Sequence, residues 1–310
     1  MLNHRDIGRR VVVRHRLKPG TAHARFTDVT GRLDAITEES LRITRDDDTH
    51  VDIDRTMLVA AKPIPPKRVS YSSIADWQAA CDATWPAPRT MWLGRWKLRA
   101  ANGSTRRANS VLVLGEPGVD RDAAIERVEA FYAALNQPAG FSLALPLTQR
   151  LDRLLAARGW TQDAATSVYT ADIEAVADPS PMTIDNEPSP DWLRFSCGDA
   201  LNPATATLLG KGPHRGFAEI HVDGDIAAIG RGAVEGDTAV ISSVAVAPRH
   251  RRHGFGGRVV SGLADWASRQ GAQRVCVQVT QDNTAALSLY RRLGFIRHHD
   301  YHYRWAPQAE

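Results

Sequence analysis

VAVAPRHRRHGFGGRVV, residues 244–260, is the stretch of sequence that decides the fold of this chain. Its alternation of valine and alanine predicts a strand that ends at Pro248, and the residues from Gly254 to about Arg269 predict a helix. The turn between them is rich in arginine. A strand, a basic turn with glycines and a helix therefore follow one another directly.

The start of this predicted helix is a site for an anion. The first N–H groups of a helix have no partner within it, and the helix dipole places partial positive charge there. Glycines at 254, 256 and 257 let an anion approach the backbone, because no Cβ stands in the way. Four arginines add positive charge nearby: Arg249, Arg251, Arg252 and Arg258. The pattern predicts a diphosphate site.

The sequence on both sides of this motif predicts an α/β unit. Residues 217–222, 226–234 and 238–246 have the pattern of three strands, joined by Asp-Gly-Asp and Glu-Gly-Asp turns. After the helix come a strand at 274–279, a helix at 283–294 and a strand at 298–306. The order β-β-β-α-β-α-β predicts a sheet covered by helices.

NTAALSLYRRLGF, residues 283–295, is a second motif. In this order and at this separation, the two motifs resemble the GCN5-related N-acetyltransferase (GNAT) superfamily. That superfamily has R/Q-x-x-G-x-G/A at the start of its third helix, and a later helix that begins with Asn and ends in Y-x-x-x-G-F. The resemblance covers about 245–295, with compatible strands from 217 to 305. It implies the GNAT fold, a mixed central sheet flanked by helices.

The resemblance implies acetyl-CoA as co-substrate and no metal. Backbone N–H groups of 252–257 would bind the pyrophosphate, and Val244 and Val246 would pair with the pantetheine arm and polarise the thioester carbonyl. Asn283 would contact the same arm. The implied cofactor-binding residues are Val244, Ala245, Val246, Arg251, Arg252, His253, Gly254, Phe255, Gly256, Gly257 and Asn283.

Tyr290 is the one catalytic residue that the resemblance implies. Its hydroxyl would protonate the leaving thiolate of CoA, and an ordinary tyrosine pKa of ~10 keeps that proton in place at neutral pH. A primary amine would attack the thioester directly in a ternary complex, without a covalent enzyme intermediate. The structural alternative for Tyr290 is a buried ring packed against Phe295.

The general base stays open. Some members of the superfamily carry Glu or His on the strand before the cofactor motif, but residues 239–243 hold no titratable group. The candidates are Glu219, His221, Glu235, Asp237, or a water relayed through Ser242. Each also has an ordinary structural explanation, as a turn former, a surface charge or a strand residue.

Residues 1–65 are predicted to form a separate, small all-β module. Strand patterns at 11–17, 24–37, 40–47, 50–55 and 57–61 indicate an SH3-like barrel, and PIPPKR at 63–68 indicates a stiff linker. Residues 1–70 hold 14 Lys/Arg against 10 Asp/Glu, which is the whole formal excess of +4. This mildly basic surface is a candidate contact for an acidic partner.

Residues 66–178 and 179–310 are predicted to be two copies of one α/β unit. SVLVLG at 110–115 matches SVAVAP at 243–248, and Arg158-Gly159-Trp160 matches Leu293-Gly294-Phe295. The first copy is degenerate, because Asp120 and Asp122 would repel a pyrophosphate and Leu155 or a neighbour replaces the tyrosine. Two unrelated α/β segments are the alternative. Four polar residues of the first copy either face the cleft or are solvated: Arg99, Arg106, Arg107 and Asn109.

We therefore predict an acyl-CoA-dependent N-acyltransferase with a primary amine as acceptor. The alternative is a non-catalytic CoA-binding regulator, whose basic N-terminal module recruits an acidic partner such as nucleic acid. A composition of 43% hydrophobic and 24% charged residues is typical of a globular protein. Three scattered cysteines without a C-x-x-C pair favour a reducing compartment. Without an apolar leader or a run of ~20 apolar residues, we expect a cytoplasmic protein. The acceptor and the oligomeric state cannot be read from the sequence.

Overall fold

The computed structural model describes residues 2–17, 25–45, 49–64, 69–198 and 203–307. The chain divides into two compact units, one of Met1–Arg68 with Ser288–Gly294 and one of Val69–Leu287 with Phe295–Glu310. Residues 46–48, whose three aspartates predict a turn, and residues 65–68 of the predicted linker lie outside the described residues.

The N-terminal unit contains a five-stranded antiparallel sheet in the order β4-β3-β2-β1-β5. Its strands are β1 Arg10–Arg16, β2 Phe26–Ile36, β3 Ser40–Thr44, β4 His50–Asp54 and β5 Leu58–Pro63. Alternate apolar side chains form its core, among them Val11, Val13, Val29, Leu33 and Ile43. The predicted strands are therefore confirmed, with ends shifted by a few residues.

The first part of the large unit runs from α1 to β10. Its elements are α1 Tyr71–Ala83, β6 Arg89–Leu93, β7 Trp96–Ala100, β8 Val111–Val113, α2 Arg121–Ala133, β9 Gly140–Leu145, α3 Gln149–Ala157 and β10 Thr161–Asp172. The strand β6 is not apparent in the sequence because four of its five residues are exposed. Exposed edge strands lack the apolar alternation on which strand prediction depends.

The second part contains the elements predicted around the opening motif. They are β11 Thr183–Asp185, α4 Pro190–Cys197, α5 Pro203–Leu209, β12 Arg215–Val222, β13 Asp225–Glu235, β14 Thr238–Val246, α6 Phe255–Arg269, β15 Arg274–Thr280, α7 Thr284–Arg292 and β16 Ile296–Trp305. The predicted order β-β-β-α-β-α-β is confirmed from β12 to β16. The short elements β11 and α5 were not predicted.

All strands from β6 to β16 belong to one mixed sheet of eleven strands. Its order is β11-β12-β13-β14-β15-β10-β16-β9-β8-β7-β6. Among the described strands, β8–β9 and β14–β15 pair in parallel and the other pairs are antiparallel. The order is nearly symmetric about the β10–β16 pair, and each of these two strands also borders a strand of the other part of the chain, β10 next to β15 and β16 next to β9. The sequence did not predict this exchange.

The pair Asn102–Gly103 is typical of a two-residue hairpin turn and predicts one here, but this prediction is wrong. The strands β7 and β8 do pair, but residues 101–110 form a longer connection. The buried Asn109 shapes it, since its Oδ1 accepts hydrogen bonds from the N–H groups of Ala101 at 2.8 Å and Gly103 at 3.0 Å. A side chain six to eight residues away thus replaces the two-residue turn.

Helices cover both faces of the sheet near the opening motif. On one face α6 lies very close to β13: a Cβ added to Gly230 of β13 would be only 2.4 Å from Val259 Cγ1 of α6. On the other face Ile74 and Trp77 of α1 pack with Val240 of β14. In the described part of the chain, no helix has the length and apolar character that crossing a membrane requires.

Candidate functional site

The strands β14 and β15 separate partway along their length. Thr238–Ile241 pairs in parallel with Arg274–Val277, and the pairing stops there although both strands continue. From Ser242 to Val246, β14 therefore has a strand neighbour only on the β13 side. We call this gap the β14–β15 opening.

The backbone of β14 presents hydrogen-bonding groups to this opening. Ala247 N–H donates to the carbonyl of Ala227 on the β13 side at 2.9 Å. Because peptide groups alternate in direction along a strand, those of Val244 and Val246 point to the opposite side. A β-bulge precedes them, where Ser243 has φ +53° and the register with β13 shifts. Bulges commonly re-aim a strand next to a functional site.

The start of α6 lies immediately beyond the end of β14. Its N-cap, Gly254, is left-handed with φ +82°, and no side chain caps the helix. The first helical hydrogen bond runs from Arg258 N–H to the Gly254 carbonyl at 3.1 Å. The N–H groups of Phe255, Gly256 and Gly257 therefore have no partner within the helix. The left-handed conformation, and not a lack of space, requires glycine at 254, because a Cβ there would meet no atom within 4 Å.

The arginines around this helix start differ in how far their charge is neutralised. Arg249 forms an ion pair with Asp225 at 2.5 Å. Arg251 donates to the Val246 carbonyl at 3.4 Å, and Arg258 donates to Ser180 Oγ at 3.3 Å. Arg252 is exposed and has no bonding partner among the described residues. Like His253, which is also exposed, it is accessible to a ligand.

Asn283 and Tyr290 lie on the predicted second motif. Asn283 is exposed, and its Oδ1 accepts a hydrogen bond from Ala286 N–H at 3.1 Å, so that it caps α7. Tyr290 is only 7% exposed. Burial raises the pKa of the Tyr290 hydroxyl to about 12, and the phenol keeps its proton at neutral pH.

The candidate bases occupy different parts of the sheet. On β12, Glu219 Oε2 lies 2.8 Å from His221 Nε2, and the other carboxylate oxygen accepts from Ser189 Oγ at 2.5 Å. Glu235 and Asp237 lie at the β13–β14 turn, which is the far end of β14 from Val246.

The hydroxyl of Thr238 contributes most to lowering the pKa of Asp237, which also pairs with Arg274 at 3.2 Å. Ser242 is the candidate at the β14–β15 opening. Its Oγ is buried and has no hydrogen-bond partner in the described structure.

The first part of the chain differs at the corresponding positions. The helix α2 follows β8 as α6 follows β14, but its N-cap Asp120 accepts hydrogen bonds from Asp122 N–H at 2.9 Å and Ala123 N–H at 3.3 Å. The backbone groups that α6 leaves open are thus partly closed in α2. Leu155 on α3 is completely buried.

The four polar residues singled out in the first part of the chain have separate positions. Arg99 is buried and pairs with Asp82 at 2.9 Å, and Asn109 shapes the connection 101–110. Arg106 is exposed and pairs with Asp163 at 2.5 Å. Arg107 donates to Gln278 Oε1 on β15. Of the four, Arg107 therefore reaches a strand that borders the opening.

A groove of about 610 Å³ lies between α4 and the ends of β12, β13 and β14. Phe195, Ile226 and Pro248 give it apolar walls, and His221 and Arg249 also line it. Among the residues described, no group of three or more His, Cys, Asp or Glu side chains is arranged to hold a metal ion.

Two family models match the chain. The model described as "Probable histone acetyltransferase Rv0428c C-terminal" matches residues 72–304, and the model "Rv0428c N-terminal Sm-like domain" matches residues 5–62. The N-terminal module is therefore Sm-like, a small β-barrel similar to the SH3-like barrel that the sequence predicts. The prediction rested on the number and length of the strands, and these do not distinguish one small β-barrel from another.

Several proteins that are similar to this chain in sequence or structure are named as N-acetyltransferases. The uncharacterized N-acetyltransferase YobR of Bacillus subtilis (strain 168) is 31% identical over 238 residues, which are 72% of this chain and 94% of that protein. A GCN5-related N-acetyltransferase from Kribbella flavida has a TM-score of 0.61 at 18% identity, covering 77% of this chain and 98% of its own.

A tandem GNAT protein from the clavulanic acid biosynthesis pathway has a TM-score of 0.53 at 15% identity, over 79% of this chain and 91% of its own. At these identities the solved structures show the fold alone.

Proposed function

The chain belongs to the GCN5-related N-acetyltransferase superfamily, and from this premise we propose that it transfers an acetyl group from acetyl-CoA to a primary amine. The observation that carries the proposal is the continuity of two features. The unpaired edge of β14 at the β14–β15 opening leads directly into the uncapped start of α6. An extended arm that ends in a diphosphate matches this arrangement.

Each part of the site suits a part of acetyl-CoA. The N–H groups of Phe255, Gly256 and Gly257 are donors for the diphosphate, and the charge of Arg252 is available beside them. The N–H groups of Val244 and Val246 and the Val244 carbonyl are donors and an acceptor for the amide groups of the pantetheine arm, whereas the Val246 carbonyl already accepts from Arg251. In this proposal Asn283 contacts the same arm through its side-chain NH₂, since its Oδ1 is used in capping α7.

The proposed reaction is direct acyl transfer. The nitrogen lone pair of a neutral amine attacks the thioester carbonyl carbon, a C–N bond forms, and the C–S bond breaks with its electron pair on sulfur. Tyr290 gives its hydroxyl proton to that sulfur, and the proton that the amine loses restores the tyrosine through water. The products are an N-acetyl amine and CoA. A buried phenol with a pKa of about 12 suits this role of proton donor.

The amine must lose its proton before it attacks. We propose that water held at Ser242 Oγ carries it away, because this unpartnered hydroxyl lies where β14 and β15 separate. The Glu219–His221 pair lies on β12, which is separated from β15 by both β13 and β14. We do not assign it the role of base.

Calorimetry with CoA and thiol release from acetyl-CoA test the proposal together. We expect CoA to bind, and acetyl-CoA to release thiol only when an amine acceptor is present. Failure to bind CoA would refute the proposed site. Binding without thiol release from a broad amine panel would instead favour the alternative of a CoA-binding regulatory protein.

A further inference from the structure

The connection between β7 and β8 extends from one side of the β14–β15 opening to the other. Ala101 and Ala108 pack in one apolar cluster with Ile229 of β13, and Ala245 of β14 packs against the same cluster. On the other side, Arg107 donates to Gln278 of β15. We call residues 101–109 the bridging segment.

The bridging segment is held in a defined conformation. Asn109 accepts from two of its N–H groups and donates to the carbonyl of Thr105 at 2.7 Å. At its outer side Arg106 pairs with Asp163 of β10 at 2.5 Å. A segment fixed at both sides of the opening is suited to present side chains to a substrate in a constant geometry.

Arg107 carries a charge that no carboxylate of the described residues neutralises. Its guanidinium donates to the neutral amide of Gln278 and lies 5.8 Å from the ring centre of Trp85. Arg231 lies 4.9 Å from the same ring and donates only to backbone carbonyls, of Thr84, Leu209 and Lys211. Burial, and then the charge of Arg107, lower the pKa of Arg231 to about 9. Neither guanidinium forms an ion pair with a carboxylate of the described residues; Asp82, which lines a small cavity together with Arg107, is already paired with Lys97 and Arg99.

Two buried polar atoms without partners in the described structure, Trp85 Nε1 and Ser242 Oγ, lie in the same region. Trp85 is 8% exposed, and its indole Nε1 has no hydrogen-bond partner in the described structure. Ser242 follows the last β14 residue that pairs with β15, and Gln278 follows the last β15 residue that pairs with β14. Buried donors and uncompensated charge are costly unless a ligand or water satisfies them.

We propose that Arg107 binds a carboxylate of the acceptor, so that the substrate is a small amino-carboxylic acid. This inference rests on the proposed acetyl transfer and names the class of amine that receives the group. The guanidinium is a planar donor suited to two hydrogen bonds with one carboxylate, and in this position it keeps the amine of the acceptor at the β14–β15 opening. Polycationic acceptors are excluded by the same charge.

Pairs of acceptors that differ only in the carboxylate test this assignment. We would measure kcat/KM by thiol release for alanine and ethylamine, phenylalanine and 2-phenylethylamine, lysine and cadaverine, and for a lysine-rich peptide. For the wild-type protein we expect that, in at least one pair, the kcat/KM of the amino acid exceeds the kcat/KM of the matching amine by about 100-fold or more. This is the scale on which sites built for a polar group reject analogues that lack it.

Two variants remove the free charge in different ways. Arg107→Gln deletes it, and Gln278→Glu neutralises it with an internal partner that also holds the segment in place. In both variants we expect the kcat/KM values of the two acceptors in each pair to differ by no more than a few-fold. The affinity for CoA should stay at the wild-type value. Arg89→Gln, which removes an exposed charge on the edge strand β6, is the control that keeps the preference.

The outcomes separate this inference from the proposed function. Thiol release with no preference for carboxylates, faster transfer to the lysine-rich peptide, or a preference retained in both variants would overturn the role of Arg107 alone. Absence of CoA binding, or of thiol release with every acceptor, would overturn the acetyl transfer and the inference with it.

Discussion

Asp120 and Gly254 are the N-caps of two helices that follow equivalent strands, and only Asp120 satisfies its helix with a side chain. The carboxylate of Asp120 accepts from two N–H groups at the start of α2. Gly254 leaves the first turn of α6 open. A single cap residue therefore distinguishes a helix start that is already satisfied from one that can receive an anion.

Gly256→Asp should reduce the affinity for CoA by about 100-fold or more, because it places a carboxylate and a Cβ where the diphosphate is proposed to bind. Calorimetry measures this directly. Gln149→Asp, which adds the same charge to the start of α3, should leave CoA affinity unchanged. Wild-type affinity in Gly256→Asp would mean that the diphosphate binds elsewhere.

Tyr290→Phe should lower kcat by about 100-fold, the lower range for loss of a general acid, and leave the Kd of CoA near the wild-type value. Because the pKa of Tyr290 is raised to about 12, wild-type turnover should show no loss from ionisation of this phenol below pH 10. Steady-state kinetics and calorimetry on the same preparation check both parts. Turnover equal to wild type would remove the phenol from the mechanism.

Gly230→Ala should lower the free energy of unfolding by about 1–3 kcal/mol, because its Cβ would lie 2.4 Å from Val259 Cγ1. Denaturant unfolding measures the change. Adding Val259→Ala removes the nearer of the two conflicting atoms, the other being Leu263 Cδ1 at 2.9 Å, so the double variant should lose less stability than the two single variants together. Simple additivity would show that this contact does not set the distance between α6 and β13.

Asp82→Asn should cost about 3–5 kcal/mol of unfolding free energy. Asp82 is buried and pairs with Lys97 at 2.5 Å and Arg99 at 2.9 Å, so the substitution leaves buried positive charge without a partner. Asp28→Asn removes a cross-strand pair with Arg14 in which both side chains are exposed, and it should change stability little. Equal effects in the two variants would contradict this account.

His299 should make the protein lose stability in acid. Burial, and next the charge of His298, lower the pKa of His299 to about 3, whereas an unfolded histidine titrates near 6.5. The unfolded chain therefore binds the extra proton between these values. The contribution of His299 to the free energy of unfolding is fully present above pH 6.5. It declines as pH falls toward 3, by up to about 1.4 kcal/mol per pH unit.

Urea unfolding at pH 7 and pH 5 tests this sign. His299→Gln should show a shallower loss of stability between the two pH values than wild type. An unchanged slope in His299→Gln would show that this imidazole does not resist protonation in the folded state.

The sequence predicts the second part of the fold well because its signals are local. Valines and alanines before Pro248 and glycines from Gly254 determine a strand and a helix within a few residues. The separation of β14 from β15 is not local, since it depends on how far Ile241 and Val277 remain paired. The resemblance implied only that Val244 and Val246 pair with the pantetheine arm, and the separation of the two strands was not predicted.

The roles of the arginines show the other limit of sequence analysis. Arg99 and Arg107 have the same charge and lie eight residues apart. The first is buried against Asp82, and the second lies on the bridging segment without a carboxylate. The difference depends on contacts with Asp82 and Gln278, which are distant in sequence. The Glu219–His221 contact is local by comparison, since residues i and i+2 of a strand point to the same face.

The exchange of β10 and β16 determines when this sheet can close during synthesis. The strand β16 lies between β9 and β10, which are both made more than a hundred residues earlier. Until β16 has emerged from the ribosome, one edge of β9 and one edge of β10 remain exposed to other chains. A nascent chain stalled before Ile296 would therefore be a target for chaperones, and neither half can be expressed alone with its own sheet complete.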